Sequence, residues 1–266
     1  MHIREFRIPM PLDLEQYYLA QMYMNARAPI EDSADGGSME ILVPSTPRVD
    51  EETGQDYIYT HKVFHISTFL PKWVRILLPG AAKVDAFETS FAQYPELVRT
   101  EYYCPLLRKH FKLVVLSSHY ADDNCGQHNA LHLSEKDLAR RSVDVIDILE
   151  DDLPEDEFEE EFAPDKWPTR LEPGWRDREG VMTAYKVVKI KVGIIGFQNR
   201  LERFLLYLIR NQFLKYHQKS FAWKPYWRDM TIDDVRAMEL KTTSELHARF
   251  GGRDDGGIGR TAASVL

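Results

Sequence analysis

The sequence predicts an α+β fold built on a mostly antiparallel sheet. Several segments alternate apolar with polar residues and are rich in β-branched or aromatic side chains, as strands are. The strongest helical periodicity lies near the C-terminus. Runs of strands followed by helices favour helices packed on an antiparallel sheet over a parallel sheet with crossover helices. At 266 residues, 44% of them hydrophobic, the chain can form one large domain or two small ones.

The predicted strands are the segments in which this alternation is clearest. They cover residues 2–8, 39–43, 57–66, 98–104, 111–120, 143–148 and 183–192.

Helices are predicted between the early strands. Asp13 precedes an apolar pattern that suits a capped helix ending at about Arg27. The polar stretch 30–38 contains two adjacent glycines and is typical of a loop. Two prolines bracket a short amphipathic helix within residues 69–79.

The C-terminal part carries the longest predicted helix. An aromatic and aliphatic stripe at helical spacing runs from Phe197 to Tyr216. A further helix starts at Thr231, and Asp234 forms a capping-box-like pair with it. The tail 251–266 is rich in glycine and small residues, so we expect it to be disordered.

An acidic connection separates the predicted strands 143–148 and 183–192. Residues 150–181 contain four prolines, and nine acidic residues fall within 150–161. This run dominates the formal net charge of −8 and is typical of a solvated acidic loop.

Composition excludes several classes of protein. The negative charge argues against general nucleic-acid binding, and no apolar run approaches the ~18 residues that span a bilayer. Cys104 and Cys125 lack metal-ligand spacing, and the N-terminus lacks a signal peptide, which favours a reduced cytosolic protein. No catalytic triad, phosphate loop or zinc motif is visible. We expect His61 and His65 to be satisfied or exposed rather than metal ligands.

The strand around Thr60 carries a candidate binding site. Its alternation puts Thr60 and Lys62 on an otherwise apolar face that also includes Ile58, Phe64 and Ile66. A buried ammonium is costly unless a negative group meets it. That group could be a carboxylate of the protein or the phosphate of a ligand. The alternative is an edge strand with Lys62 in solvent.

A second lysine repeats this pattern. Lys186 shares a strand face with Ala184 and Val188, and Ser117 follows Val115 on another apolar face. A single lysine at a strand end is more often solvated. Two lysines on two apolar faces strengthen the case for an enclosed anion.

The chain also resembles a known family, the phosphatidylinositol transfer proteins, and is nearest their class II branch. The similar segments, in order, are residues 3–11, 19–24, 55–65, 99–105, 184–186, 196–198, 221–223 and 230–236. The shared order and spacing of these segments carry the resemblance, which covers roughly residues 1–250. The resemblance implies a lipid-binding domain over 1–250 with a StAR-related fold, in which a curved sheet and long helices enclose a cavity for a single phospholipid.

The resemblance assigns roles to individual residues. The residues implied to contact the inositol headgroup are Thr60, Lys62 and Glu239. The residues implied to lie near the lipid phosphate are Gln21, Thr100, Ser117 and Lys186. Ile194 and Ile195 occupy the loop that touches membranes in the family, although the alternative is a buried strand end.

One departure from the family concerns headgroup selectivity. The family has an asparagine that contacts inositol where Ala92 stands here, and an extra residue precedes Arg99. Gln93 should lie on a different side of the strand. We therefore expect weaker discrimination for phosphatidylinositol, and the preferred headgroup stays open.

The implied function is that of a non-enzymatic phospholipid carrier. It would bind one phosphatidylinositol, phosphatidylcholine or phosphatidic acid molecule as its ligand, without a cofactor, metal or catalytic residue. We expect a cytoplasmic monomer that associates transiently with membranes and binds no nucleic acid. The alternatives are a lipid-sensing module without net transfer and a hydrolase-like enzyme built on the same fold.

Overall fold

A computed structural model describes residues 1–34, 39–66, 70, 72–77, 84–194 and 196–250. The strands are β1 (His2–Met10), β2 (Met39–Val49), β3 (Asp56–His65), β4 (Asp85–Gln93), β5 (Leu97–Tyr103), β6 (Phe111–Tyr120), β7 (Arg141–Val145) and β8 (Met182–Val192). The helices are α1 (Leu14–Ala34), α2 (Lys72–Leu77), α3 (Glu135–Leu138), α4 (Gln198–Ala222), α5 (Lys224–Trp227) and α6 (Ile232–Phe250).

The eight strands of the described residues form one sheet in the order β2-β3-β4-β5-β6-β8-β1-β7. The pairs are antiparallel except β1 with β7, which is parallel. The predicted α+β class with a mostly antiparallel sheet is therefore confirmed.

Strand β4 is an addition to the sequence prediction. On one face it carries Glu88, Ser90 and Ala92, which are polar or small. Apolar alternation is the signal by which a half-buried strand is recognised, and here that signal is missing. Strand β7 ends at Val145 rather than at residue 148, because the chain leaves the sheet and Ile146 and Ile148 enter the core.

Helix α1 is longer than predicted, and the expected loop at 30–38 was wrong for residues 30–34. Asp13 caps the helix, as predicted, by accepting a hydrogen bond from the Gln16 amide at 2.7 Å. The helix continues through Pro29 to Ala34. Its packing against α4 and α6 favours the helix there over the local preference for a break. Residues 35–38 lie outside the described part.

The other helix predictions agree with the structure. Helix α4, with 25 residues, is the longest helix of the described part. Of the predicted stripe, Leu201 is buried, and Phe197, Phe204, Leu205, Ile209 and Phe213 pack partly buried against the core. Helix α6 follows the reciprocal hydrogen bonds of Thr231 with Asp234. Of the predicted segment 69–79, residues 72–77 are helical.

The acidic connection is more ordered than a solvated loop. Trp167, Leu171 and Trp175 are buried in the core. Glu159 forms ion pairs with Lys215 and Lys219 of α4, at 2.6 and 2.8 Å. The expectation of a fully solvated loop was therefore wrong for Glu159, whereas the neighbouring Glu160 is exposed as predicted.

The sheet has one face covered by α1, α4 and α6, which we call the interior face. Phe6, Val115 and Val188 on this face pack with Leu214 of α4 and Tyr17 of α1. The opposite face is covered in part by the segment after β6, where Leu133 packs on Ile3 and Val187.

The boundary of the predicted domain, residues 1–250, stays a prediction. The tail 251–266 lies outside the described residues, and so its predicted disorder is also untested.

Candidate functional site

Strand register places five of the predicted site residues on the interior face. Directly opposite residues of antiparallel strands point to the same side of a sheet. Ser117 pairs with Lys186, which in turn pairs with the core residue Phe6. Thr60 and Thr100 both pair with Ser90, and Thr100 also pairs with Val115. These residues therefore point to the same side of the sheet. Lys62 follows Thr60 by two residues and therefore shares this face.

Lys186 is a partly buried cation without a matching acid among the described residues. Its Nζ lies 5.4 Å from the centre of the Phe213 ring, and no carboxylate of the described residues lies within ion-pair distance of it. Burial alone lowers the pKa of Lys186 to about 8. An ammonium that is removed from water and has no carboxylate partner among the described residues is suited to meet an anion.

Two buried histidines border Lys186, and both are neutral. Burial, reinforced by the nearby Lys186, lowers the pKa of His119 and of His217 to about 3. His217 Nδ1 lies 2.6 Å from the Phe213 carbonyl oxygen, and its Nε2 lies 3.0 Å from the Tyr17 hydroxyl. Nδ1 therefore donates to the carbonyl and Nε2 accepts from Tyr17. Neither ring can neutralise Lys186.

Gln21 adds a hydrogen-bond donor without an acceptor. It lies one helical turn after Tyr17 on α1, and its Nε2 is buried without a hydrogen-bond partner in the described structure. Buried polar groups are almost always bonded, so this amide also fits a bound polar ligand.

Lys62 lies inside the fold rather than in solvent. Its side chain is 7% exposed, and its Nζ donates to Asn25 Oδ1 of α1 at 3.1 Å. Glu88 of β4 lies 3.9 Å away. Burial, with a contribution from Glu88, raises the pKa of Tyr102 of β5 well above its ordinary value.

Glu239 lies on α6 and joins that helix to β2. Its carboxylate accepts from the amide of Ser45 at 3.1 Å and from the Ser45 hydroxyl at 3.0 Å. Its charge contributes to the raised pKa of Tyr18 on α1, which is due mainly to burial. Helix α1 thus has Tyr18 near Glu239 and Asn25 near Lys62, with Gln21 on the same side of the helix between them.

Sequence reasoning missed several polar neighbours of these residues. They are Tyr17, Asn25, Glu88, Ser90, Tyr102, His119 and His217. The alternation of β3 and β8 revealed Lys62 and Lys186 because polar residues interrupt an apolar face. Glu88 and Ser90 gave no such signal, since the other residues on their side of β4 are small alanines.

Ala92 lies on the interior face, where the sequence comparison expected a headgroup contact. It pairs with Ile58 and Val98, and it lies two residues along β4 from Ser90, which pairs with Thr60. Gln93 points to the other side and bonds to Gln55 at 3.0 Å. Gln93 therefore lies on a different side of the strand from residue 92, as expected.

The predicted membrane-docking pair is only partly described. Ile194 is half-buried and packs against the core, while Ile195 lies outside the described residues. The docking role stays a prediction.

The histidines of β3 are satisfied, as expected. His61 Nδ1 lies 3.1 Å from the Thr89 hydroxyl. His65 lies between Glu40 and Asp85, each at 2.7 Å. Within the described residues, no group of histidine, cysteine and acidic side chains could hold a metal ion.

An apolar interior beside uncompensated polar groups is typical of a protein that encloses an amphiphilic ligand. No helix in the described part of the chain is long and apolar enough to cross a membrane.

Comparison with known proteins identifies the family. A family model described as phosphatidylinositol transfer protein matches residues 1–244. The chain is 34% identical to Phosphatidylinositol transfer protein 1 of Dictyostelium discoideum, over 96% of this chain and 98% of that protein. It is also 34% identical to Cytoplasmic phosphatidylinositol transfer protein 1 of Drosophila melanogaster, over 94% of this chain and 93% of that protein. The chain belongs to the phosphatidylinositol transfer protein family.

A longer relative matches equally well. The chain is 35% identical to Protein retinal degeneration B of Drosophila melanogaster, over 96% of this chain but only 22% of that protein. Relatives of both the short and the long kind are therefore similar to this chain.

Proposed function

We propose that this protein binds one phosphatidylinositol molecule at the interior face and exchanges it between membranes. Phosphatidylcholine or phosphatidic acid is the alternative ligand. The observation that carries the proposal is Lys186, a partly buried lysine with no carboxylate partner in the described part of the fold, in a chain of this family.

The polar residues divide into two groups by charge. Lys186, Gln21 and Ser117 supply positive charge or donors without a nearby acid, which suits the lipid phosphate, and Thr100 would complete this group. Thr60, Lys62 and Glu239 would contact the inositol ring. A site that bonds ring hydroxyls rejects analogues that lack them.

We further propose that the protein acts without a catalytic step. Burying acyl chains contributes about 0.8 kcal/mol per methylene, which is enough for tight binding without a covalent bond. The protein would be a cytoplasmic monomer, peripheral to membranes and in transient contact with them, and would bind no nucleic acid. A presenting module and a hydrolase remain the alternatives. Vesicle-to-vesicle transfer kinetics separate the carrier from the former, and intact bound lipid argues against the latter.

The first experiment identifies the lipid. Mass spectrometry of lipid co-purified with the full chain should find intact phosphatidylinositol, and transfer of radiolabelled phosphatidylinositol between vesicles should follow. Failure to transfer any phospholipid would contradict the proposal.

The second experiment tests Lys62. Because hydrogen bonds to charged groups contribute about 1.5–3 kcal/mol, Lys62→Ala should weaken phosphatidylinositol transfer roughly ten- to a hundredfold while phosphatidylcholine transfer persists. The exposed Lys191→Ala is the matched control. Equal loss of both lipids, with the fold intact, would assign Lys62 a structural role instead.

A further inference from the structure

We propose that the outer edge of β7 is a docking site for an extended acidic segment of a partner protein, which adds to the sheet as a further strand. This inference goes beyond the proposed lipid exchange and does not depend on it.

Strand β7 forms one end of the sheet and has a row of unpaired backbone groups. It pairs with β1 on one side, and the amide of Ile146 donates to the Arg7 carbonyl of β1 at 2.9 Å. The backbone N–H and C=O of successive residues point to opposite sides of a strand, so those of Arg141, Val143 and Val145 point away from β1. Among the described residues, none of these groups has a hydrogen-bond partner. Such a row is a template for another strand.

The side chains of β7 also favour strand pairing. Val143 is 45% exposed and Val145 is 37% exposed. Both point away from the interior face, because their β1 partners flank the interior residue Phe6. β-Branched side chains pack well against neighbours on an adjacent strand. With five residues in continuous register with β1, the strand has an ordinary length for pairing.

The edge strand at the other end of the sheet, β2, is protected against such pairing. Its register with β3 shifts at two points, and it contains Pro44 and Pro47. Helix α6 lies against it, and His247 Nε2 is 2.8 Å from the Ile41 carbonyl oxygen. Prolines, bulges and covering helices are usual protections of an edge. Because β7 has neither a proline nor a register shift, and its valines are exposed, its edge is open to a partner.

The charges at the start of β7 favour an acidic partner. Arg140 directly precedes the strand, is exposed, and donates to a backbone carbonyl at 3.4 Å. No carboxylate in the described part of the chain forms an ion pair with Arg140. Asp137, which lies near enough for Arg140 to help lower its pKa, bonds to Lys189 at 2.8 Å. Arg140 can therefore receive a carboxylate from another molecule.

The order of these features along β7 defines the partner segment. An antiparallel strand would place apolar side chains opposite Val145 and then Val143, two residues apart. Acidic side chains further along would lie beside Arg141 and Arg140. Glu5 already neutralises Arg141, so Arg140 supplies the charge that selects the partner. The expected segment has two apolar residues at alternating positions, followed by glutamate or aspartate.

The experiment titrates two synthetic peptides into the full chain labelled with nitrogen-15 and follows its backbone amide resonances. The acidic peptide is acetyl-Ser-Val-Thr-Val-Thr-Glu-Glu-amide, and the basic peptide has lysine in place of both glutamates. The acidic peptide should shift the Val143 and Val145 resonances and slow the hydrogen exchange of these amides roughly tenfold or more at saturation. The basic peptide should bind about two- to tenfold more weakly, as expected for the loss of an exposed ion pair.

Two variants separate backbone pairing from charge. Val143→Pro removes an outward N–H, which an edge strand tolerates but a paired strand does not, so both peptides should lose affinity roughly tenfold or more. Arg140→Glu should reverse the order, so that the basic peptide binds more tightly than the acidic one. Arg48→Glu changes an exposed arginine on the opposite edge strand and is the matched control, which should keep the wild-type order.

Several results would overturn this inference. Unchanged Val143 and Val145 resonances with both peptides would do so, as would equal affinity of the wild type for the two peptides. If these resonances instead move with protein concentration in the absence of peptide, the edge pairs with a second copy of the chain and not with an acidic partner. Thermal unfolding checks each variant. If Val143→Pro is unfolded, the reversal in Arg140→Glu decides.

Discussion

At the scale of single residues, the site is defined by polar groups that the protein itself leaves incompletely paired. Lys62 has Asn25 and a distant Glu88, whereas Lys186 has an aromatic ring and two neutral histidines for neighbours. The two lysines look alike in the sequence. They differ in the fold because, among the described residues, Lys62 has an acid nearby and Lys186 has none.

Lys186 makes lipid binding depend on pH. The ammonium is the form that attracts phosphate, so affinity for anionic phospholipid should fall as the pH rises through about 8. Binding measured between pH 7 and 9 should show this decrease for the wild type and not for Lys186→Met, which should bind weakly throughout. The same slope in both proteins would show that another group is responsible.

The same lysine affects stability with the opposite slope. Its folded-state pKa of about 8 lies below the ordinary value of 10.5, so between these values the unfolded chain binds more protons. The free energy of unfolding of the lipid-free protein should therefore rise with pH in this window. Below about pH 8, Lys186→Met should be more stable than the wild type. Thermal unfolding of both proteins measures the difference, with the exposed Lys191→Met as control.

Replacing residue 92 tests how the protein discriminates between lipid headgroups. Alanine offers no hydrogen bond, and asparagine there would lie beside Ser90 and Thr60 on the interior face. One added bond is worth about 0.5–1.5 kcal/mol, so Ala92→Asn should raise phosphatidylinositol binding relative to phosphatidylcholine by up to about tenfold. Competition binding decides the question, and an unchanged ratio would show that residue 92 does not reach the headgroup.

At the scale of elements, helix α4 supports the acidic connection. Lys219 is almost fully buried and lies between Glu159 and Glu31, with its ammonium 4.7 Å from the centre of the Phe162 ring. Burial opposes the charge on Glu159, but hydrogen bonds from Lys215 and Lys219 lower its pKa below the ordinary value. The connection is thus held to the helix by ionised groups.

This ion-pair network should weaken in acid. A carboxylate with a lowered folded pKa stabilises the fold above its unfolded pKa, and the effect is lost as the pH falls through the folded pKa, below about 4.5. At neutral pH, Glu159→Gln should cost up to about 1 kcal/mol, since the pair is partly exposed, and should speed proteolysis within 150–163. Glu160→Gln is the exposed neighbouring control. Equal proteolysis of both variants and the wild type would contradict the role of Glu159.

At the scale of the whole molecule, transfer requires an encounter with a membrane. The formal net charge of −8 disfavours attraction to anionic lipid by general electrostatics. Apolar contact is then the remaining source of affinity, and the loop at Ile194 and Ile195 is the predicted place for it.

Docking should therefore depend on apolar residues more than on salt. Replacing Ile194 and Ile195 by aspartate should reduce vesicle association and transfer, because charge is costly in the hydrocarbon region. Association of the wild type should change little with added salt. Ile194 packs partly against the core, so thermal unfolding is the control. A large drop in melting temperature would place the pair in the core instead.

The sequence by itself determined what depends on local pattern. Alternation on β3 and β8 was sufficient to predict the faces that carry Lys62 and Lys186. Asp13 and Thr231 marked helix starts, because a cap bonds within its own first turn. These features require only neighbouring residues.

Only the tertiary structure decided which polar groups meet. Strand register joins residues far apart in the chain, so the rows through Glu88 and Ser90 could not be predicted from the sequence of β4. The same holds for α1, where packing against other helices extends the helix past Pro29. A lysine's partner, or the lack of one, is set by contacts between distant segments, and this is why the charge balance of the site emerged only from the fold.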